Sequence, residues 1–366
     1  MHFRCQKKDL VEGISTVQKA ILGKSPMAVL EGIYIETGAN EIIMRGSDID
    51  LSIETLVSSS ILEDGRIVID SKLFGDIIRK LPDATVEIAT MENNTILISC
   101  ENSEFNLLYL NAEEFPMLPE IGNREKISIR EDVFKNLIKA TSFAVAQDES
   151  RPILMGVLFE VKNKVLNMVA LDGFRLALRS EYLESNEDLS VVIPGKTLNE
   201  VSKILGDKNE LLYISFNENH ILFEVQNTKV VSRLLSGSFI KYESIIPTDY
   251  KLQFKVKRAQ LAQSIERASL MAKEGSSKLI KLQIENDRAV ITSNSQFGKV
   301  KEEVSVHMEG DAIEIAFNAN YLLDTLKVME EEEIILEMTS SVSPAIIKNT
   351  VVDNCIYMVL PVRLTR

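Results

Sequence analysis

Thirteen residues from Ile67 to Arg79, IVIDSKLFGDIIR, recur five more times along the 366-residue chain with their apolar positions kept. The other windows are FRCQKKDLVEGIS from Phe3, ISIREDVFKNLIK from Ile127, VVIPGKTLNEVSK from Val191, FKVKRAQLAQSIE from Phe254 and IAFNANYLLDTLK from Ile315. Position three reads Cys5, Ile69, Ile129, Ile193, Val256 and Phe317, and position eight reads Leu10, Phe74, Phe134, Leu198, Leu261 and Leu322. Of these, Phe74, Leu198 and Leu322 are spaced 124 residues apart. A period held this regularly constrains the fold more than any composition figure, because each copy must adopt one supersecondary unit.

The unit is legible. Positions one and three lie on one face of a strand. Positions eight and twelve are four apart and lie on one face of a helix. Position twelve reads Ile14, Ile78, Ile138, Ser202, Ile265 and Leu326, so only Ser202 departs from the apolar pattern. Alternating apolar stretches follow each window, AVLEGIYIE, EIIMRG and DLSIETLV after the first and ATVEIAT, NTILISC and FNLLYL after the second. They predict antiparallel strands with turns at Gly38–Asn40 and Glu92–Asn94. The unit is therefore β-α-β-β-β, about 60 residues long. One such helix on one sheet face buries too little to stand alone, whereas two units side by side make a core.

Six units make an α+β chain of three tandem similar domains, with helices on one side and antiparallel sheets outside. Pro, Gly and charge cluster in PEIGNREK (Pro119–Lys126) and PTDYK (Pro247–Lys251), which sets the domains at 1–122, 123–250 and 251–366. The later strands repeat as well. GIYIE at Gly32 returns as GVLFE at Gly156, and Asp48 of SDIDLSIET answers to Asp172 of LDGFRLALRS.

A hydrophobic fraction of 45% and a charged fraction of 26% are those of a soluble globular protein. No apolar run reaches the roughly 18–20 residues that span a bilayer, and the start MHFRCQKKDLVEG has no signal-peptide core. Cys5, Cys100 and Cys355 are odd in number and far apart, which reads as buried reduced thiols in a cytoplasmic protein.

The net charge of −13 argues by itself against nucleic acid. Its distribution removes the objection. The helices expected at 7–20, 72–81, 131–145, 196–206, 257–273 and 320–329 hold 15 Lys and Arg against 8 Asp and Glu, while the remainder of the chain carries −20. Lys and Arg are common on any solvated helix face. Six helices in register on one side, together +7, would instead present phosphates with a positive surface on an acidic body.

Catalytic chemistry is missing. IPGKT at Ile193–Thr197 resembles the end of a phosphate loop, but the position five before Gly195 is Ser190, and the sister windows put Ser71–Lys72 and Ala319–Asn320 at the place of Gly195–Lys196. His2, His220 and His307 are scattered. Asp48 and Asp50, alternating with Ile49 and Leu51, read as the solvent face of a strand rather than a metal site. MEEEEIILEM reads as an acidic turn running into a strand. No catalytic residue, metal or cofactor is expected, and a non-enzyme follows.

Four segments carry a resemblance: the ending YMVLPVRL (Tyr357–Leu364), LDGFRLA (Leu171–Ala177), FNANYLLD (Phe317–Asp324) and ESRPILMGVLFE (Glu149–Glu160). With the tandem domains, they resemble the bacterial sliding clamps, the β subunits of DNA polymerase III, along the whole chain in one register. The resemblance implies a DNA-clamp fold closed into a ring-shaped, head-to-tail homodimer, cytoplasmic and nucleoid-associated. It implies a processivity factor of the DNA polymerase III holoenzyme that encircles double-stranded DNA without sequence specificity. It implies partners in the polymerase alpha subunit, the clamp loader and other proteins carrying short clamp-binding peptides. A repeat-built peptide-binding scaffold that never encircles DNA is the alternative.

The basic residues expected to face DNA are Lys8, Lys24, Lys72, Arg79, Lys80, Lys135, Lys139, Lys196, Lys203, Arg258, Arg267, Lys273 and Lys327. Carried over from the resemblance, the wall of a partner-peptide pocket comprises Arg151, Leu154, Leu171, Gly173, Phe174, Arg175, Leu176, Ile245, Asn318, Tyr321, Val342, Pro344, Met358, Val359, Leu360, Pro361, Val362 and Arg363. Apolar walls suit Leu and Phe anchors, with Arg175 at the rim, while Val342 and Val359 also fit plain core. The dimer seam would use Lys72, Phe74, Phe105 and Leu107 of one chain against Leu270 and Met271 of the other. Phe174 stands where many members of the family have His or Tyr, Ser244 where some have Arg, and Thr365–Arg366 extend past the usual ending.

Overall fold

The computed structural model describes residues 1–119, 121, 126–184, 188–206, 209–273, 278–296, 298–351 and 354–363. The side chain of Lys273, part of the Pro119–Lys126 linker, and Leu364, Thr365 and Arg366 lie outside the described residues.

All six windows form a strand that runs directly into a helix. The first module is β1 (His2–Gln6), α1 (Lys7–Val17), β2 (Gly32–Thr37), β3 (Glu41–Ser47) and β4 (Leu51–Ser58), followed by the short β5 (Ser60–Glu63). The second is β6 (Arg66–Asp70), α2 (Ser71–Lys80), β7 (Thr85–Met91), β8 (Thr95–Cys100) and β9 (Ser103–Leu110). The third is β10 (Ile127–Arg130), α3 (Glu131–Thr141), β11 (Gly156–Lys162), β12 (Val165–Leu171) and β13 (Arg175–Tyr182). The fourth is β14 (Leu189–Pro194), α4 (Gly195–Ile204), β15 (Leu211–Phe216), β16 (His220–Val225) and β17 (Thr228–Arg233). The fifth is β18 (Leu252–Lys257), α5 (Arg258–Ser269), β19 (Leu279–Glu285), β20 (Arg288–Ser295) and β21 (Gly298–Ser305), followed by the short β22 (His307–Gly310). The sixth is β23 (Ile313–Asn318), α6 (Ala319–Val328), β24 (Glu333–Met338), β25 (Ala345–Asn349) and β26 (Cys355–Val359).

The repeated apolar positions are the core. Leu10, Phe74, Phe134, Leu198, Leu261 and Leu322 are all buried. In α4 the polar Ser202 is half-buried, and its neighbour Val201 is fully buried instead. Within their domains α1 packs on α2 and α5 on α6. Position five of the odd windows closes the far end of the domain's second helix. Lys7 Nζ donates to the carbonyl of Leu81, and the Arg258 guanidinium donates to those of Leu326 and Glu331. A cation there satisfies carbonyls that the helix leaves open and meets the negative end of its dipole. Glu131, at the same position, instead accepts from the N–H of Gly206.

Two compact units emerge from the tertiary contacts, Met1–Phe134 with Lys196–Leu234, and Lys135–Gly195 with Leu235–Arg366. The first holds a 13-stranded sheet in the order β10-β15-β16-β17-β4-β3-β2-β6-β9-β8-β7-β1-β5. The second holds a nine-stranded sheet, β14-β11-β12-β13-β26-β25-β24-β18-β22, and a four-stranded one, β21-β20-β19-β23. The reason is hydrogen bonding between edge strands. β17 joins β4 in the first unit, and β13 joins β26 in the second, so consecutive domains share a ladder.

Some expectations change. Three of the expected helices finish as 3₁₀ turns, at Gln18–Ala20, Ser142–Ala144 and Met271–Lys273. β5 and β22, unread in the sequence, add to the edges of β1 and β18. Residues 48–50 form a turn, not a strand face, because Asp48 accepts from the N–H of Leu51 and Ile49 sits at φ 81°. The three thiols are free and buried, and burial pushes those of Cys5 and Cys355 up in pKa.

Candidate partner pocket and nucleic-acid interface

The pocket is built around the turn between β12 and β13. Asp172 Oδ1 accepts from the N–H groups of Phe174 (2.9 Å) and Arg175 (3.0 Å), closing an Asx turn. Gly173 between them takes φ +90°, a conformation that a side chain resists. The turn thrusts Phe174 outward, 57% exposed, while its carbonyl accepts from the N–H of Leu360 at 2.8 Å. The Phe174 ring stacks on Tyr321 of α6 with centroids 6.0 Å apart and an angle of 20°. Behind this wall, Leu154, Leu171, Leu176 and Met358 pack with Ala146, Tyr242 and Ile346 in one apolar cluster. Burial drives this cluster together, at roughly 1.5–3 kcal/mol per large side chain.

A cavity of about 310 Å³ opens beside the turn, lined by Ala146, Asp148, Ser150, Arg151, Leu154, Asp172, Gly173 and Phe174. Arg151, Leu154, Gly173 and Phe174 were expected there. Ala146, Asp148, Ser150 and Asp172 were not, although the Asp-Gly turn was a readable signal for the last. The main-chain and hydroxyl bonds from Ser150 hold the Asp148 carboxyl below the usual carboxylate range.

The structure corrects the reading of Arg175. Its side chain is only 12% exposed and is bonded to Asp172, Asp324 and the carbonyl of Phe143, so it is no free rim group. Val359 is fully buried in β26 and belongs to the core, whereas Val342 is 64% exposed and does not. Pro344 lies in the same turn before β25. Asn318 caps α6 by accepting from the N–H of Asn320, and Ile245 follows a 3₁₀ turn at Tyr242–Ser244. Leu360, Pro361 and Val362 are half-buried and Arg363 exposed, with the Val362 N–H bonded to the carbonyl of Ala316.

The basic helices divide by what already holds their cations. In the first unit Lys8, Lys24, Lys72 and Lys80 are exposed. There Arg79 pairs with Asp76, Lys196 with Asp48 and Lys203 with Glu200. In the second unit Lys139 and Lys327 are exposed and Lys135 half-buried. Arg267 pairs with Glu302, which holds that carboxyl below its ordinary range. Arg258 is committed to the carbonyls of Leu326 and Glu331, which corrects its reading as a free phosphate contact. Among the described residues no three of His, Cys, Asp or Glu gather as metal ligands, and no helix is long and apolar enough to cross a membrane.

The seam residues also sort themselves. Lys72, Phe105 and Leu270 are exposed, and Leu107 and Met271 are half-buried. Phe74 has 0% exposure in the protomer, so it has no surface left to lose on association, and its seam role is withdrawn. β9 meets β6 only at Tyr109 and Leu110, and β21 ends the four-stranded sheet, so each presents a bare strand edge.

Repeated β-α-β-β-β pairs joined through their sheets define a DNA-clamp fold. Family models described as DNA polymerase III beta subunit, N-terminal, central and C-terminal domain, match residues 1–119, 128–241 and 243–363. The beta sliding clamp of Bacillus subtilis (strain 168) is 40% identical over 99% of this chain and all of its own length. That of Staphylococcus aureus (strain Mu50) is 35% identical, covering 99% of each. The crystal structure of the DNA polymerase sliding clamp from Bacillus subtilis superposes with TM-score 0.97 at 38% identity over 100% of both chains. A Pseudomonas aeruginosa sliding clamp bound to griselimycin matches with TM-score 0.95 at 29% identity, again over 100% of both. The chain belongs to the DNA polymerase III beta subunit family, the bacterial sliding clamps.

Proposed function

We propose that the chain is a DNA sliding clamp, a ring of two head-to-tail copies that encircles duplex DNA and tethers the replicative polymerase and other DNA-processing proteins. It acts without catalysis, as a processivity factor. The observation that carries this reading is the six-fold module, matched over the full chain by the family, with basic residues on every helix. Contacts from Lys and Arg to phosphates carry no sequence information, so binding through them permits sliding. The domains are proposed at 1–122, 123–250 and 251–366, beside family matches that span 1–119, 128–241 and 243–363. Closure is proposed through the bare edges of β9 and β21, with Phe105 and Leu107 meeting Leu270 and Met271 of a second copy. The protein would work in the cytoplasm, on the nucleoid.

The partner site is the Phe174–Tyr321 wall with the apolar cluster behind it. It fits a short linear peptide whose Leu and Phe anchors fill apolar hollows while the main chain bonds at the rim.

Replacing Lys8, Lys80, Lys139 and Lys327 together by Glu, all of them outside the proposed seam, tests the ring. The variant should sediment as a dimer of twice the 41.1 kDa protomer mass, yet be lost from nicked circular DNA at least tenfold faster after loading. Unchanged retention would leave only a scaffold that does not encircle DNA.

A further inference from the structure

We infer that Arg175 is a positioning residue of the partner pocket: it holds the Phe174–Tyr321 wall in place and makes no contact of its own with the peptide. This rests on the pocket reading above.

A guanidinium offers donors in a rigid planar fork and two flat faces. In Arg175 all three nitrogens are used. Nε donates to Asp172 Oδ2 at 3.0 Å, Nη1 to Asp324 Oδ2 at 2.6 Å and Nη2 to the carbonyl of Phe143 at 2.8 Å. Both aromatic neighbours are engaged as well, with the guanidinium carbon 4.8 Å from the Tyr321 ring centre and 5.3 Å from that of Phe143. Three of its five N–H groups are donated inside the protein and the side chain is only 12% exposed, so little of the group is left for a peptide carbonyl or carboxylate to reach.

The anchors belong to three separate pieces of chain: the turn at 172–174, helix α6, and the 3₁₀ turn at Ser142–Ala144. One side chain therefore ties together pieces that local sequence does not. Asp172 is shared, since its Oδ1 closes the turn that presents Phe174 while its Oδ2 holds Arg175. Tyr321 meets both the cation and the Phe174 ring. A wall fixed before binding spares the peptide the cost of ordering it.

The test uses the full-length dimer and a fluorescein-labelled synthetic peptide carrying Leu and Phe anchors, read by anisotropy. Arg175→Gln and Asp324→Asn should each weaken binding about tenfold or more, and the double variant should bind no more weakly than the worse single one. In Asp324→Asn, which keeps the arginine, the 19F signal of fluorotyrosine at position 321, assigned with Tyr321→Phe, should shift without peptide present. Wild-type affinity in Asp324→Asn beside a loss in Arg175→Gln would mean that Arg175 touches the peptide, and the proposal fails. Additive losses, or an unmoved Tyr321 signal, also overturn it. If the unaltered dimer does not bind the peptide, the pocket reading itself falls, and this proposal falls with it.

Discussion

The chain joins consecutive domains twice by the same device, a shared strand ladder, and builds the two joints from opposite chemistry. At the first, β4 pairs with β17, and one sheet face carries a row of alternating charge. Arg45 pairs with Glu54 at 2.6 Å and lies over the Tyr34 ring at 5.0 Å, and Lys229 reaches Glu54 at 3.6 Å. Thr55 and Thr228 share a hydrogen bond beneath, beside a polar cavity of about 250 Å³ lined in part by Asp9, Glu12 and Gln226. At the second, β13 pairs with β26, and Leu176 opposes Met358 inside an apolar cluster.

The turns that lead into the two joints are the same turn. Asp48 and Asp172, 124 residues apart, each accept from the N–H three residues on, and Ile49 and Gly173 both have positive φ. The second oxygen differs in its use. Asp48 takes Lys196 from α4, whereas Asp172 takes Arg175 from its own strand and thereby reaches α6. Equivalent backbone thus yields a turn tied to a helix lysine in one place and an exposed aromatic wall in the other. The lesson is that the repeat sets the scaffold, while a few side chains decide where a partner can dock.

The comparison can be broken most forcefully at Leu176. Leu176→Ala should cost about 3 kcal/mol in a urea titration through the cavity it leaves, and remove peptide binding while the dimer survives. Undiminished peptide affinity would place the pocket elsewhere. Next comes Arg45→Ala, which leaves the buried Glu54 with only Lys229 at 3.6 Å and should cost about 2 kcal/mol. Because Arg45 is only 13% exposed, that loss should persist at high salt, where a surface pair would be screened away. The smallest effect is expected at the first turn. Ile49→Gly relieves a β-branched residue held at φ 81° and should raise stability by up to about 1 kcal/mol, with peptide binding untouched.

Much of this was open to reading beforehand. Position eight of each window is buried because a helix lying on a sheet has one inward stripe, and that stripe shows as spacing in the sequence. The Glu92–Asn94 hairpin was legible because Asn tolerates the positive φ that Asn93 and Asn94 adopt. Asp48 was misread because alternation looks alike in a strand and in a turn, until the side chain's bond to Leu51 selects one. The free or committed state of each basic residue was equally hidden. Lys72 and Arg258 are both cations near a helix start, but only Arg258 meets the carbonyls at the end of α6. The bonds of Arg175 were hidden too, since its partners Phe143 and Asp324 are 32 and 149 residues away.

What the sequence determined alone is the module, its sixfold repetition and the sign of charge on its helices, since these follow from periodicity and composition within about 13 residues of one another. Only the tertiary structure decided which charges remain unpaired, which strand edges stay bare and which aromatic rings are clamped. Those outcomes depend on distances between segments far apart in the chain, and a one-dimensional pattern holds no record of them until packing brings the groups within hydrogen-bonding reach.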